Sequence, residues 1–117
     1  MTNKEIFNLY EGLSELSQDD NVKFSFQIGY YLAYDKNILE PFYNAITETQ
    51  EKIIKKYGTK IEEGWTVPKE NLDEFQKEWS EFMSIENEIL PKKVRLKDID
   101  AKIGLKLIDK LLPIIEE

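Results

Sequence analysis

Val22-Lys23-Phe24-Ser25-Phe26-Gln27-Ile28-Gly29-Tyr30-Tyr31-Leu32-Ala33-Tyr34-Asp35 is the stretch on which the fold turns. Two periods compete in it. Val22, Phe24, Phe26 and Ile28 alternate with Lys23, Ser25 and Gln27, the pattern of a half-buried strand. Phe24, Ile28, Tyr31, Asp35, Ile38, Phe42 and Ala45 instead recur at alternating spacings of four and three, the heptad seam of a packed helix. The seam runs unbroken through Tyr31 and Ile38, and Ile46, Ile53 and Tyr57 continue the same face. The helical reading is therefore preferred, and it predicts one long helix over 23–57. Asp20 or Asn21 is available to cap its start. Gly58 supplies the stop, and Lys55 and Lys56 lie in the last turn, where the helix dipole favours cations. Pro41 lacks an N–H and crowds the preceding turn, so a kink or break is expected near 37–41.

Working outward, Thr2 and Glu5 form a T-x-x-E capping box, and Ile6, Leu9, Tyr10, Leu13 and Leu16 follow at helical spacing, so a first helix is expected over 3–17. On the other side, 59–67 is a connector punctuated by Gly58, Gly64 and Pro68, with some strand character in Ile61, Trp65 and Val67. Asn71 and Glu74 offer a cap for a third helix. Leu72, Phe75, Trp79, Phe82, Glu86 and Ile89 carry its seam to Leu90, and Pro91 ends it. Residues 92–97 alternate and look like a short strand. Asp98 or Asp100 is placed to cap a turn. Leu105, Leu107, Ile108, Leu111 and Leu112 predict a final short helix stopped by Pro113.

A connector of roughly ten residues makes antiparallel packing the simple outcome for the two long helices. At 1.5 Å per residue they are about 50 Å and about 33 Å long, so the third covers only the distal part of the second, from Tyr57 back to Ile38. Residues 92–97 then return toward 22–35 and are the partner for 22–28 if that segment is a strand. The expected fold is mainly α: a long antiparallel helical hairpin with an N-terminal helix, and a short β-like segment plus a small helix at the C-terminus, in a single small domain over 1–117.

Composition narrows the chemistry. The chain has no Cys and no His, which removes disulfides, thiolate nucleophiles, zinc sites and the commonest general base. Only carboxylate or lysine chemistry remains, and no cofactor is expected. The net charge is −7, which argues against nucleic acid as the main partner. No apolar run approaches the ~20 residues of a membrane span, and the polar opening residues are unlike a signal peptide, so a soluble, intracellular protein without membrane contact is expected. The charge is uneven: 69–90 holds seven acids and two lysines, whereas 92–110 holds seven bases and three acids. The basic part either folds back on the acidic helices or offers a patch to an acidic partner.

Two sets of residues are candidate sites. Asp35 and Glu86 sit on the two seams and, if adjacent, are a pair of carboxylates suited to a divalent cation or to acid–base work; the favoured alternative leaves them exposed or paired with Lys92 or Lys93. Five of the fourteen aromatic residues fall in 24–34. On a helical wheel Phe26, Tyr30 and Tyr34 lie away from the seam, so either they are covered by the first helix and the C-terminal segment, or they are an exposed patch for a partner or for self-association. Trp65, beside Gly64 at the hairpin tip, is a second binding candidate unless it folds onto the last turn near Tyr57.

Ile6-Phe7-Asn8-Leu9-Tyr10 with Leu13 and Leu16, Ile54-Lys55-Lys56-Tyr57-Gly58, and Val67-Pro68-Lys69-Glu70-Asn71 with Phe75 form an ordered set of short motifs. Val94-Arg95-Leu96-Lys97-Asp98-Ile99-Asp100 and Leu112-Pro113-Ile114-Ile115-Glu116-Glu117 complete it. In order and spacing the set resembles a family of short helical phage and prophage proteins of unknown function from Gram-positive hosts. The departure is at 22–46, where such proteins have a Lys/Glu-rich helix without this aromatic density or Pro41. The resemblance implies a phage origin and a helical hairpin, and it implies no catalytic residues.

The expectation is thus a non-enzymatic phage protein in the host cytoplasm that binds a host or phage protein through Phe26, Tyr30, Tyr34 and Trp65, with a homodimer as a further expectation. The alternative is a small structural or assembly protein of the virion or tail.

Overall fold

The computed structural model describes residues 1–20, 22–100 and 103–116. The elements in chain order are α1 (Asn3–Gln18), β1 (Lys23–Phe24), α2 (Phe26–Tyr57), β2 (Thr59–Ile61), β3 (Gly64–Thr66), α3 (Leu72–Met83), β4 (Ile99–Asp100) and α4 (Leu105–Leu111), with 3-10 turns at Lys69–Asn71, Leu96–Asp98 and Leu112–Ile114. The architecture is mainly helical, as the periodicity predicts, and α2 is its axis.

α1 starts where its capping box sets it. The Glu5 N–H donates to Thr2 Oγ1, and the Thr2 N–H donates to the Glu5 carboxylate. Ile6, Leu9, Leu13 and Leu16 form its buried face. The start of α1 lies by Gln50 of α2 and its end by Gly29, so the two helices run antiparallel. Phe7 and Tyr10 both stack on Tyr43, whose hydroxyl donates to Glu11.

The competition between strand and helix at 22–28 resolves one turn later than the seam suggests. The Ser25 side chain accepts the Ile28 N–H and caps α2, so the helix starts at Phe26 and Asp20 is not its cap; the other expected cap, Asn21, lies outside the described residues. The two residues before the cap, Lys23 and Phe24, form β1 and pair with Asp100 and Ile99. The strand partner is thus 99–100. Residues 92–97, expected as a strand, hold only a single bridge from Val94 to Ile115 and then a 3-10 turn. A Cβ on Gly29 would come 3.0 Å from the Phe24 ring, so the absent side chain is what lets β1 fold back over the first turns of α2.

α2 is unbroken over Phe26–Tyr57 with Pro41 inside it, where a break was one expectation. Pro41 is exposed, so its ring meets solvent and not a packed neighbour. The buried row is Ile28, Leu32, Asp35, Leu39, Ile46, Gln50 and Ile53. It keeps the spacings of four and three but is turned from the expected seam: Phe42 is left 39% exposed, and Leu32 and Leu39 take the centre. α2 ends at Gly58, whose N–H donates to the Ile54 carbonyl.

The connector is a β-hairpin, β2 against β3, turned at Gly64 with φ +132°, a backbone conformation that favours glycine. α3 returns antiparallel, as expected. Tyr57 and Phe75 meet edge to face, Tyr57 and Lys56 bond to Glu78, and the Gln50 amide reaches the Met83 sulfur. Asn71 sits at the cap position but uses its amide otherwise: Nδ2 donates to the Tyr57 carbonyl and ties the end of α2 to the start of α3.

α3 stops at Met83, seven residues before the expected end at Leu90. The reason is the start of α1. Asn3 Nδ2 donates to the Phe82 carbonyl, the Asn3 N–H donates to the Ile85 carbonyl, and the Asn87 N–H donates to the Met1 carbonyl. These partners hold 84–87 outside the helix. An extended segment then runs back along α2 to Asp35. Finally α4 packs on α1 at Gly12, where an added Cβ would lie 3.0 Å from Lys110 Cβ, and Lys110 pairs with Glu15 at 2.6 Å.

Candidate functional site

Phe26, Tyr30 and Tyr34 are separated by four residues each, so they stand in one row on α2. The row faces outward. Phe26 is fully exposed, Tyr30 is 63% exposed and Tyr34 38%. The rings of Tyr30 and Tyr34 lie 6.4 Å apart with their planes 26° from parallel, and Tyr30 also meets Tyr31 edge-on. Both α1 and the C-terminal segment were candidates to cover this row, and Phe26 and Tyr30 are left open while Lys92 of the C-terminal segment reaches over Tyr34. α1 lies on the Leu32 side, and β4 pairs with β1 beside the row's start. With Leu90 91% exposed on the segment that returns along α2, this end of the molecule presents more large apolar side chains than a packed surface needs.

The segment after Pro91 borders the same row. The Lys92 ammonium sits 5.6 Å from the ring centre of Tyr34 and 5.9 Å from that of Tyr31, a double cation–π contact. Its backbone N–H donates to Asp35 Oδ1 at 2.6 Å. Asp35 is fully buried, and burial raises its pKa from 3.8 to about 6 against the opposing pull of the Lys92 N–H and ammonium. Sequence reasoning put Lys92 near Asp35 as one alternative; that a lysine would roof Tyr34 of the candidate row together with its neighbour Tyr31 had no local signal, because the contact spans the chain.

Trp65 is 42% exposed at β3 and packs over Gly58, whose added Cβ would lie 3.4 Å from the indole. It therefore folds back toward the last turn of α2 while keeping an open face. It does not join the aromatic row: Tyr34 and Tyr57 are 23 residues apart on one helix, about 35 Å. The four candidate binding residues fall into two places at opposite ends of α2.

Asp35 and Glu86 are not a pair. Glu86 is exposed and bonds with the Met1 amino group at 3.3 Å, while Asp35 is buried against Lys92. Among the described residues no group of three or more His, Cys, Asp or Glu side chains is placed to hold a metal ion. A cavity of about 260 Å³ between α1 and α2 is walled by Leu13, Leu16, Phe24 and Leu32, with Lys36 at its edge. No described helix is long and apolar enough to cross a membrane.

Comparison with protein-family models, with curated proteins and with solved structures finds no match. Function is therefore argued from the residues.

Proposed function

We propose that this chain is a phage-encoded, non-enzymatic protein-binding module that works in the host cytoplasm and engages its partner through Phe26, Tyr30 and Tyr34. The observation that carries the reading is the exposure of Phe26. A phenylalanine with its whole side chain in water gains about 1.5–3 kcal/mol when a partner covers it. Two tyrosines on the same row add large contact area at low entropy cost, the usual composition of an interface core. The phage origin rests on the resemblance of the motif set. Trp65 is a second, separate contact at the other end of α2.

A second reading, a structural or assembly protein of the virion or tail, is favoured by one observation. Leu105 and Leu112 are 84% and 55% exposed one heptad apart on the α4 side, so the molecule offers a second apolar face, as a subunit between two neighbours would.

The test is site-specific photocrosslinking. A benzophenone amino acid placed at position 26 should give one discrete protein adduct in phage-infected Gram-positive cells, and the same probe at exposed Glu48 should give none. An adduct with a virion component selects the assembly reading. No adduct from position 26 refutes both.

A further inference from the structure

We infer that the cleft where α1, α2 and α3 meet binds a small, neutral, planar ring with a hydrogen-bonding edge, the chemistry of a nucleobase or nucleoside. The inference is independent of the aromatic row and uses none of its residues. The cleft has a volume of about 490 Å³, within the roughly 300–1,000 Å³ of ligand pockets. Phe7, Trp79 and Met83 supply its apolar lining, and Asn8, Gln50, Ser80 and Ser84 supply polar groups. Gln50 decides the chemistry. It is only 9% exposed, and a polar group so buried is ordinarily bonded to the fold. Its one hydrogen bond runs from Nε2 to the Met83 sulfur at 3.4 Å, and a thioether is a weak acceptor. Oε1 has no partner among the described residues. Nor is it sealed off: Asp35 Oδ2 is the one sealed, unpartnered side-chain oxygen or nitrogen in the described interior. Oε1 therefore opens into the space that Gln50 lines, which is the cleft.

The other polar side chains of the cleft are in the same state. Asn8, Ser80 and Ser84 make no side-chain hydrogen bond with a described residue. Asn3, Asn71 and Asn87, by contrast, spend their amides on the fold. A side-chain amide presents an acceptor and a donor in one plane. It matches a ring edge that carries a donor beside an acceptor, as adenine N6 and N7 do. Aromatic and thioether walls favour a ring over an aliphatic chain. Charge selects neither sign. Lys4 borders the cleft, but it also borders the neighbouring groove that holds Glu5 and Asp109, so its ammonium is not reserved for an anion. The net charge of −7 discourages a polyanion and does not bear on an uncharged base.

The test titrates the isotope-labelled full chain with adenine, cytosine and uracil, with their nucleosides, and with toluene and benzoate, each to millimolar concentration. Side-chain N–H signals are followed by NMR. The expected result is saturable binding of at least one base or nucleoside, with shifts at the Gln50 amide and the Trp79 indole and none at the Trp65 indole. Gln50→Met removes the amide edge and keeps the length. It should weaken that binding at least tenfold, with the thermal midpoint unchanged or raised. Asn8→Ala, at a half-buried position whose amide bonds to nothing in the described fold, should weaken it as a second variant. Lys4→Ala should leave the affinity within twofold. Toluene bound as tightly as any base, or base binding that survives both Gln50→Met and Asn8→Ala, overturns the polar edge and with it the inference. Benzoate bound more tightly than any base, and lost in Lys4→Ala, overturns it in favour of an anion. No saturation by any base or nucleoside overturns it outright. None of these results touches Phe26, so the binding-module reading stands or falls separately.

Discussion

The backbone N–H of Lys92 donates to Asp35 Oδ1 at 2.6 Å, and the second oxygen of that buried carboxylate has no hydrogen-bond partner among the described residues. A half-satisfied buried acid favours its neutral form. With its pKa at 3.8 unfolded and about 6 folded, Asp35 binds its proton more tightly in the native state. Its contribution to stability is fully present below about pH 4 and is lost as the pH rises through 6, a cost of about 3 kcal/mol at 1.36 kcal/mol per unit. Asp35→Asn keeps an acceptor for the Lys92 N–H and removes the titration. Urea melts of both proteins should show the difference in unfolding free energy moving by about 2–3 kcal/mol in favour of the variant between pH 4 and pH 7.5. A difference that does not change with pH would mean that Asp35 titrates at its ordinary value in the folded protein.

Leu9 and Leu39 are fully buried, one on each of the two longest helices. Neither site borders a cavity found around the α1–α2 contact, so the surroundings have little room to collapse. Leu9→Ala and Leu39→Ala should each cost about 2–5 kcal/mol. Phe26→Ala, at a fully exposed position, should change stability by less than about 0.5 kcal/mol. The contrast, read from urea midpoints, separates residues that hold the fold from residues available to a partner.

Gly12 is the point of closest approach between α1 and α4, with Lys110 Cβ at 3.0 Å and Leu111 Cδ2 at 3.2 Å from the position its Cβ would take. Leu111 has no exposed surface and cannot move aside cheaply. Gly12→Val should therefore push α4 off α1, break the Lys110–Glu15 pair and cost about 1–3 kcal/mol. Hydrogen exchange should speed up in 105–111 before it does in α2. Uniform exchange across the chain would refute the local nature of the effect.

Which parts of this fold were legible follows from where their causes lie. α1 and the end of α2 are set by neighbours in sequence, namely the Thr2–Glu5 box and Gly58 with its preceding lysines, and both match expectation. The end of α3 is set by Asn3 and Met1, some eighty positions away, which no period in 72–90 encodes. The phase of the α2 seam depends on which neighbours arrive: the expected row would have buried Phe42, but α1 and the returning segment select Leu32, Asp35 and Leu39. For the candidate site, a helical wheel was enough to set Phe26, Tyr30 and Tyr34 away from the seam. Lys92 over Tyr34 needed the fold, because it depends on a single backbone bond from the segment after Pro91 to Asp35.

Pro41 tests how far α2 is held by packing. The helix runs through it without interruption, although a proline lacks the N–H that would donate to the Asn37 carbonyl and its ring crowds that carbonyl. Leu39 and Ile46, both buried, flank the site and hold the helix on course. Pro41→Ala restores the donor and the better helix former, worth up to ~3 kcal/mol in a helix interior. It also frees the unfolded chain, which costs about 0.4–1 kcal/mol. The exposed position gives the alanine no clash, so the balance should favour the variant by about 1–2 kcal/mol. Thermal unfolding should show a higher midpoint, with the gain in circular dichroism confined to the helical signal. A lower midpoint would mean that the loss of the proline's constraint on the unfolded chain outweighs the restored donor.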